Sequence, residues 1–211
     1  MEEDLIVKIN EIKQSKIAEI ISSRIKEFEK KGKEREDEIF SELCFCLMTA
    51  NFNAEKCINI QENVGRDRGF ELLPKEKLAE ELKKQGHRFP NARAAYIHEA
   101  RTCSRDMHDN IFKKSGKDMR KWLVENVKGL GMKEASHFLR NIGYKDVAII
   151  DFHILDLLLN HGFIDDKPKT MTNKRYIEIE GILNNISEKV GLNLAELDLY
   201  LWYIETGKIL K

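Results

Sequence analysis

The stretch KGLGMKEASHFLRNIG, residues 128–143, carries the residue types from which a reactive site could be built. Gly129 and Gly131 bracket a single leucine, and a helical pattern begins at once after them. Glycines at both positions would let the backbone take positive φ and approach a partner with no Cβ in the way. The amides of the turn and of the first helical turn would then form an anion nest backed by the positive end of a helix dipole. Lys133 falls in that first turn. An ammonium there meets the dipole unfavourably, so a lowered pKa is expected. A neutral lysine amine attacks aldehyde-like carbons by Schiff-base formation.

Eighteen residues beyond Lys133 comes VAIIDFHIL. Asp151 stands between an apolar run and an amphipathic helix, where an N-cap belongs. Its carboxylate could simply cap, or it could manage protons and stabilise developing positive charge near Lys133. His153 would share that first turn, close to any phosphate held there. His137, one helical turn beyond Lys133, reads as a packing residue or one that supports the reactive groups from behind.

The elements that must position these groups read as helices. LIVKINEIKQSKIAEIISSRIKEFEK and EIFSELCFCLMTA space their apolar residues at threes and fours, and seven further segments repeat that pattern. Gly143, Gly162 and Gly207 lie where helix ends are expected. One helix should end near Asn126 and another start near Met132. Only VAII, 147–150, looks strand-like, and four residues cannot support a sheet. The class is all-α, with roughly ten helices.

The composition agrees. The 211 residues suffice for one large domain or two lobes, with 42% hydrophobic and 34% charged residues. No apolar run is long enough to span a membrane, and MEEDLIVKINEIKQ lacks the order of a signal peptide, so an intracellular protein is expected. Cys44, Cys46, Cys57 and Cys103 show no paired zinc spacing, and the two in SELCFCLMTA sit as small core residues would, so a structural role is expected rather than a metal site. Net charge is zero. Yet residues 86–145 hold 13 Lys and Arg against 6 Asp and Glu, a basic middle in an otherwise acidic chain. That distribution points to a local anion-binding face.

With Gly129-Leu130-Gly131-x-Lys133 and Asp151-x-His153 in place, the chain resembles the helix–hairpin–helix DNA glycosylases that carry the Gly/Pro…Asp loop. Lysine at position 133 marks the bifunctional branch, which removes a base and then nicks the strand. The segments CLMTANFNAE, GHRFPNARAAYI, KEASHFLRNIGY with DVAIID, and ELDLYLWYIETGKILK extend the resemblance over essentially the whole chain. They match the compact 8-oxoguanine DNA glycosylase/lyase family of archaea and some bacteria.

The resemblance implies two helical subdomains, approximately 36–130 and 1–35 plus 131–211, with the hairpin at 120–142 beside a DNA-binding cleft. Lys133 would attack C1′ of the damaged nucleoside and hold the sugar as an imine for β-elimination, with Asp151 assisting. Gly129, Gly131 and Lys128 would meet the DNA backbone, and His153 a phosphate beside the lesion. The carbonyls of Glu125, Val127 and Leu130 would hold a monovalent cation. The damaged nucleotide must leave the stack, so residues must fill the hole and wedge the helix. Asn51 matches the gap-filling position, and Phe89, between Arg88 and Pro90, the wedge; read without the resemblance they are a helix-end asparagine and a core phenylalanine. Base recognition maps to Trp202, equally a stacking surface or a core residue, and to the terminal Lys211, with Asp198 and Tyr203 as weaker candidates.

No cofactor or catalytic metal is implied, and the partner would be duplex DNA containing 8-oxoguanine, bound by a monomer. Two features depart from the wider superfamily. Lys128 stands where many hairpins have proline, and no cysteine beyond Cys103 could build a four-cysteine iron–sulfur loop. The rival readings are a glycosylase/lyase for another oxidised base and a non-catalytic hairpin protein that binds DNA.

Overall fold

The computed structural model describes residues 2–211, and every regular element among them is helical. In chain order the helices are α1 (Glu2–Lys13), α2 (Lys16–Lys31), α3 (Glu36–Thr49), α4 (Ala54–Gly65), α5 (Gly69–Leu72), α6 (Lys75–Lys84), α7 (Pro90–Ala100), α8 (Ser104–Asn110), α9 (Gly116–Asn126), α10 (Met132–Asn141), α11 (Phe152–Asn160), α12 (Asn173–Val190) and α13 (Leu194–Thr206). A single 3₁₀ turn, Arg101–Cys103, joins α7 to α8.

The all-α expectation holds, but the helix count is higher, for identifiable reasons. The long N-terminal pattern is broken at Ser15, whose hydroxyl donates to the Ile12 carbonyl at 2.7 Å and accepts from the Ile17 N–H at 3.2 Å. A serine that offers the backbone a local alternative ends α1 there. Helix α4 has only three buried residues, Cys57, Ile60 and Val64, too few for a clear apolar stripe. The side chain of Asn53 starts it, accepting the Lys56 N–H at 2.9 Å. The remaining additions, α5 and α8, span four and seven residues, too short for periodicity to reveal.

The chain forms two compact units, residues 31–138 and residues 1–30 with 139–211. The core of the first is α3, buried at nearly every position from Ile39 to Thr49, with α4, α5, α7 and α8 packed on it. A helix apolar on all sides must be wrapped by its neighbours. Cys44 and Cys46 lie inside this helix and are buried. In the second unit α12 and α13 pack on each other and on α1, and α11 packs on α13. Leu5, Ile9, Leu158, Tyr176, Ile179 and Leu197 lie in its core.

Candidate active site

In the unit spanning 31–138, α9 ends at Asn126 and α10 begins at Met132. The turn between them is closed by Val127 N–H to the Leu123 carbonyl at 2.9 Å and Leu130 N–H to the Val127 carbonyl at 3.2 Å. Leu130 is buried and anchors the turn from beneath. The two glycines have different reasons for being there. Gly129 takes φ +88°, and a Cβ on it would lie 2.4 Å from the Tyr96 ring, so both conformation and space require glycine. Gly131 is not in the positive-φ region, contrary to expectation. A Cβ there would meet only the flexible carboxylate end of Glu134 at 3.3 Å. Among the described residues only that movable carboxylate would have to give way to a side chain at 131.

Lys133 lies in the first turn of α10, with its side chain 28% exposed and its Nζ 3.6 Å from Glu134 Oε1. Lys128 reaches Glu99 at 3.1 Å. The other nucleophile nearby is Cys57, whose thiol is pushed up to about 12 by burial, with Arg93 and Lys133 pulling weakly the other way. A thiol so raised stays protonated and inert. His137 is buried with its ring edge-on to Phe45, in keeping with a packing role.

The same unit brings the Asn51 and Phe89 segments together. Beyond α3 the chain turns through Asn51 at φ +58°, closed by Phe52 N–H to the Thr49 carbonyl at 3.1 Å. Asparagine tolerates this left-handed conformation better than most residues. Phe89 precedes Pro90 at the start of α7 and is 38% exposed, with the Arg88 guanidinium 5.0 Å from its ring centroid. Arg93, one turn into α7, donates to the Ala50 carbonyl at 2.6 Å. Its guanidinium also lies 5.9 Å from the Phe89 ring and 5.7 Å from the Tyr96 ring. Helix α7 therefore supports the Asn51 turn, the Phe89 loop and, through Tyr96, the glycine turn.

In the other unit Asp151 caps α11, its Oδ1 accepting the Ile154 N–H at 3.0 Å. The preceding VAII segment is extended and buried, yet pairs with no strand. Its hydrogen bonds go to side chains of α12. Ala148 N–H donates to Glu180 Oε1 at 2.8 Å, Ile150 N–H to the Tyr176 hydroxyl at 3.1 Å, and that hydroxyl to the Ala148 carbonyl at 2.8 Å. Buried main-chain groups without a ladder must find such partners. Tyr176 and Glu180, one helical turn apart, thus fix the segment that delivers Asp151, and sequence reasoning missed both.

His153, next on α11, lies with Nδ1 3.9 Å from Glu205 Oε1 and its ring edge-on to Trp202 at 5.0 Å. Phe152, 65% exposed, stacks on His153 at 3.9 Å. Trp202 is half-buried, and its indole N–H is buried with no hydrogen-bond partner among the described residues. Asp198 is engaged by Arg140 at 3.6 Å. Lys211 and Tyr203 are partly exposed. No helix among the described residues is long and apolar enough to cross a membrane.

The model of the 8-oxoguanine DNA glycosylase family matches residues 21–192, most of the chain. The chain belongs to this family. An 8-oxoguanine DNA glycosylase/AP lyase of Korarchaeum cryptofilum is 52% identical over 211 residues, covering 99% of each chain. The crystal structure of Methanocaldococcus jannaschii 8-oxoguanine glycosylase/lyase in complex with a 15mer DNA containing 8-oxoguanine superposes with a TM-score of 0.94. It is 51% identical, over 98% of this chain and 99% of that one. The 8-oxoguanine DNA glycosylase of Thermotoga maritima gives the same TM-score at 41% identity, over the full length of both chains. Membership in the 8-oxoguanine DNA glycosylase family agrees with the helical architecture throughout.

Proposed function

We propose that this chain excises 8-oxoguanine from duplex DNA and then cleaves the abasic strand, with Lys133 as nucleophile. The observation that carries the proposal is the placement of Lys133. It is a partly exposed lysine in the first turn after the glycine hairpin, in a member of the 8-oxoguanine DNA glycosylase family.

The amine must first leave Glu134 and shed a proton, because only its lone pair attacks. Nζ then bonds to C1′ while the bond from C1′ to N9 breaks, its electron pair leaving with the base, which takes up a proton. Asp151 stabilises the positive charge that develops on the sugar and handles protons. Sugar-ring opening gives an imine between Lys133 and C1′. Loss of a C2′ proton then expels the 3′ phosphate by β-elimination, and water releases the lysine.

The remaining residues bind and orient. The turn amides around Gly129 and Gly131 grip backbone phosphates, and a glycine at 131 with only a movable carboxylate beside it among the described residues fits an approach by something outside the protein. Lys128 and Arg88 add charge at the backbone. His153 contacts a phosphate next to the lesion. Asn51 fills the vacated space and Phe89 wedges the stack. Trp202 and Lys211 form the base pocket. The carbonyls of Glu125, Val127 and Leu130 are hard, neutral oxygens suited to a monovalent cation; that of Val127 already accepts the Leu130 N–H and has one lone pair left. The enzyme acts as a monomer on DNA inside the cell.

Borohydride trapping on duplexes with different lesions tests the proposal. Preferential covalent capture on 8-oxoguanine duplex is expected. Preferential capture on an oxidised pyrimidine such as thymine glycol would instead establish the rival substrate.

A further inference from the structure

His87 is almost wholly buried, at 4% exposure, in the unit spanning 31–138. Both ring nitrogens are committed. Nε2 lies 3.0 Å from the Met48 carbonyl, and the Phe89 N–H lies 3.0 Å from Nδ1. A carbonyl can only accept and an N–H can only donate, so Nε2 carries the hydrogen and Nδ1 a lone pair. The ring also stacks on Phe52 at 4.3 Å. One imidazole therefore holds the end of α3, the residue after Asn51 and the main chain of Phe89.

We propose that neutral His87 is the positioning residue that sets the register between the Asn51 turn and the Phe89 loop, so that both intrude into the duplex as one unit. It rests on the reading of Asn51 and Phe89 as the intruding residues. The two segments lie far apart in sequence, and among the described residues His87 links them, as does Arg93 through the Ala50 carbonyl. Protonating His87 would set an Nδ1–H against the Phe89 N–H and break the link. It would also place a second positive charge beside Arg93, with Lys56 beyond the Phe52 ring at 6.0 Å. Burial, with Arg93 adding to it and the Met48 carbonyl opposing it, holds the His87 pKa below its usual value. Loss of the link leaves the hairpin grip on phosphate intact but deprives the enzyme of a preformed intruding edge.

The test uses the full-length enzyme, well below each variant's melting temperature. It measures single-turnover base removal, affinity for undamaged duplex, and the fluorescence of 2-aminopurine placed beside 8-oxoguanine, which rises when the stack opens. His87→Phe keeps a ring against Phe52 but loses both hydrogen bonds. Base removal should fall roughly 10²-fold and the fluorescence rise should vanish, with affinity for undamaged duplex unchanged. His87→Gln, which retains a donor and an acceptor, should recover part of both. The wild-type rise should weaken as pH falls below the ordinary imidazole range, and this limb should be absent in His87→Gln. A His87→Phe enzyme that opens the stack and removes the base as the wild type does would overturn the proposal. So would a loss of rate that leaves the fluorescence rise intact. Phe89→Ala separates the two levels. If Phe89→Ala opens the stack normally, the wedge reading itself fails; if it does not while His87→Phe does, only the His87 assignment fails.

Discussion

The hairpin turn at 127–131 and the extended segment at 147–150 each deliver a candidate reactive group, Lys133 in one unit and Asp151 in the other. In the hairpin the main chain closes on its own hydrogen bonds and is fitted by shape. Gly129 sits at φ +88° against the face of Tyr96, and any side chain there would collide. In the extended segment it is held by hydrogen bonds, with Tyr176 and Glu180 taking the place of a neighbouring strand. A steric device uses small residues and shows in the sequence as glycine. A hydrogen-bonded device uses polar groups on a distant helix and leaves no local trace.

The contrast can be broken from either side. The largest effect on stability is expected for Gly129→Ala, which combines backbone strain of about 1–2 kcal/mol with overpacking of about 1–3 kcal/mol. Chemical denaturation should register the loss, and DNA affinity should fall with it. Tyr176→Phe keeps the ring but strips the partner from the Ile150 N–H and the Ala148 carbonyl, which should cost about 1–3 kcal/mol. Single-turnover base removal should slow as well, because Asp151 loses its fixed approach, while affinity for undamaged duplex stays near wild type.

A smaller effect should come from pH. The folded pKa of His87 is depressed, so the unfolded chain binds the extra proton first as pH falls. The stability held by neutral His87 is complete above the ordinary imidazole pKa of about 6.5. It declines as pH drops below that value towards the folded pKa. Thermal melts of wild type and His87→Gln from neutral to mildly acid pH should diverge in that window. Least affected of all should be Gly131→Ala, whose new methyl meets only the movable Glu134 carboxylate. Its stability should stay within about 0.5 kcal/mol of wild type, yet its affinity for DNA should drop. Equal affinity would mean that no phosphate approaches position 131.

How far the sequence could be read follows the same division. Helix ends carried by glycine were legible: Gly143, Gly162 and Gly207 all take positive φ where expected. Asp151 as an N-cap was legible because a capping residue acts within its own turn. The strand-like look of VAII was correct about its extended backbone and silent about its partners, since Tyr176 and Glu180 sit on α12 among ordinary buried positions. His87 drew no notice inside GHRF, because its role depends on the Met48 carbonyl 39 residues earlier. Gly131 shows the converse. The spacing suggested a strained turn, but the strain is confined to Gly129, which alone lies against Tyr96.

The central claim is that Lys133 bonds to the sugar. Borohydride treatment of the Lys133→Gln variant on 8-oxoguanine duplex tests it most directly. This variant should retain duplex affinity but form no covalent complex and leave the strand unnicked. A Lys133→Gln enzyme that is still trapped on the DNA, or still nicks it at the wild-type rate, would contradict that claim.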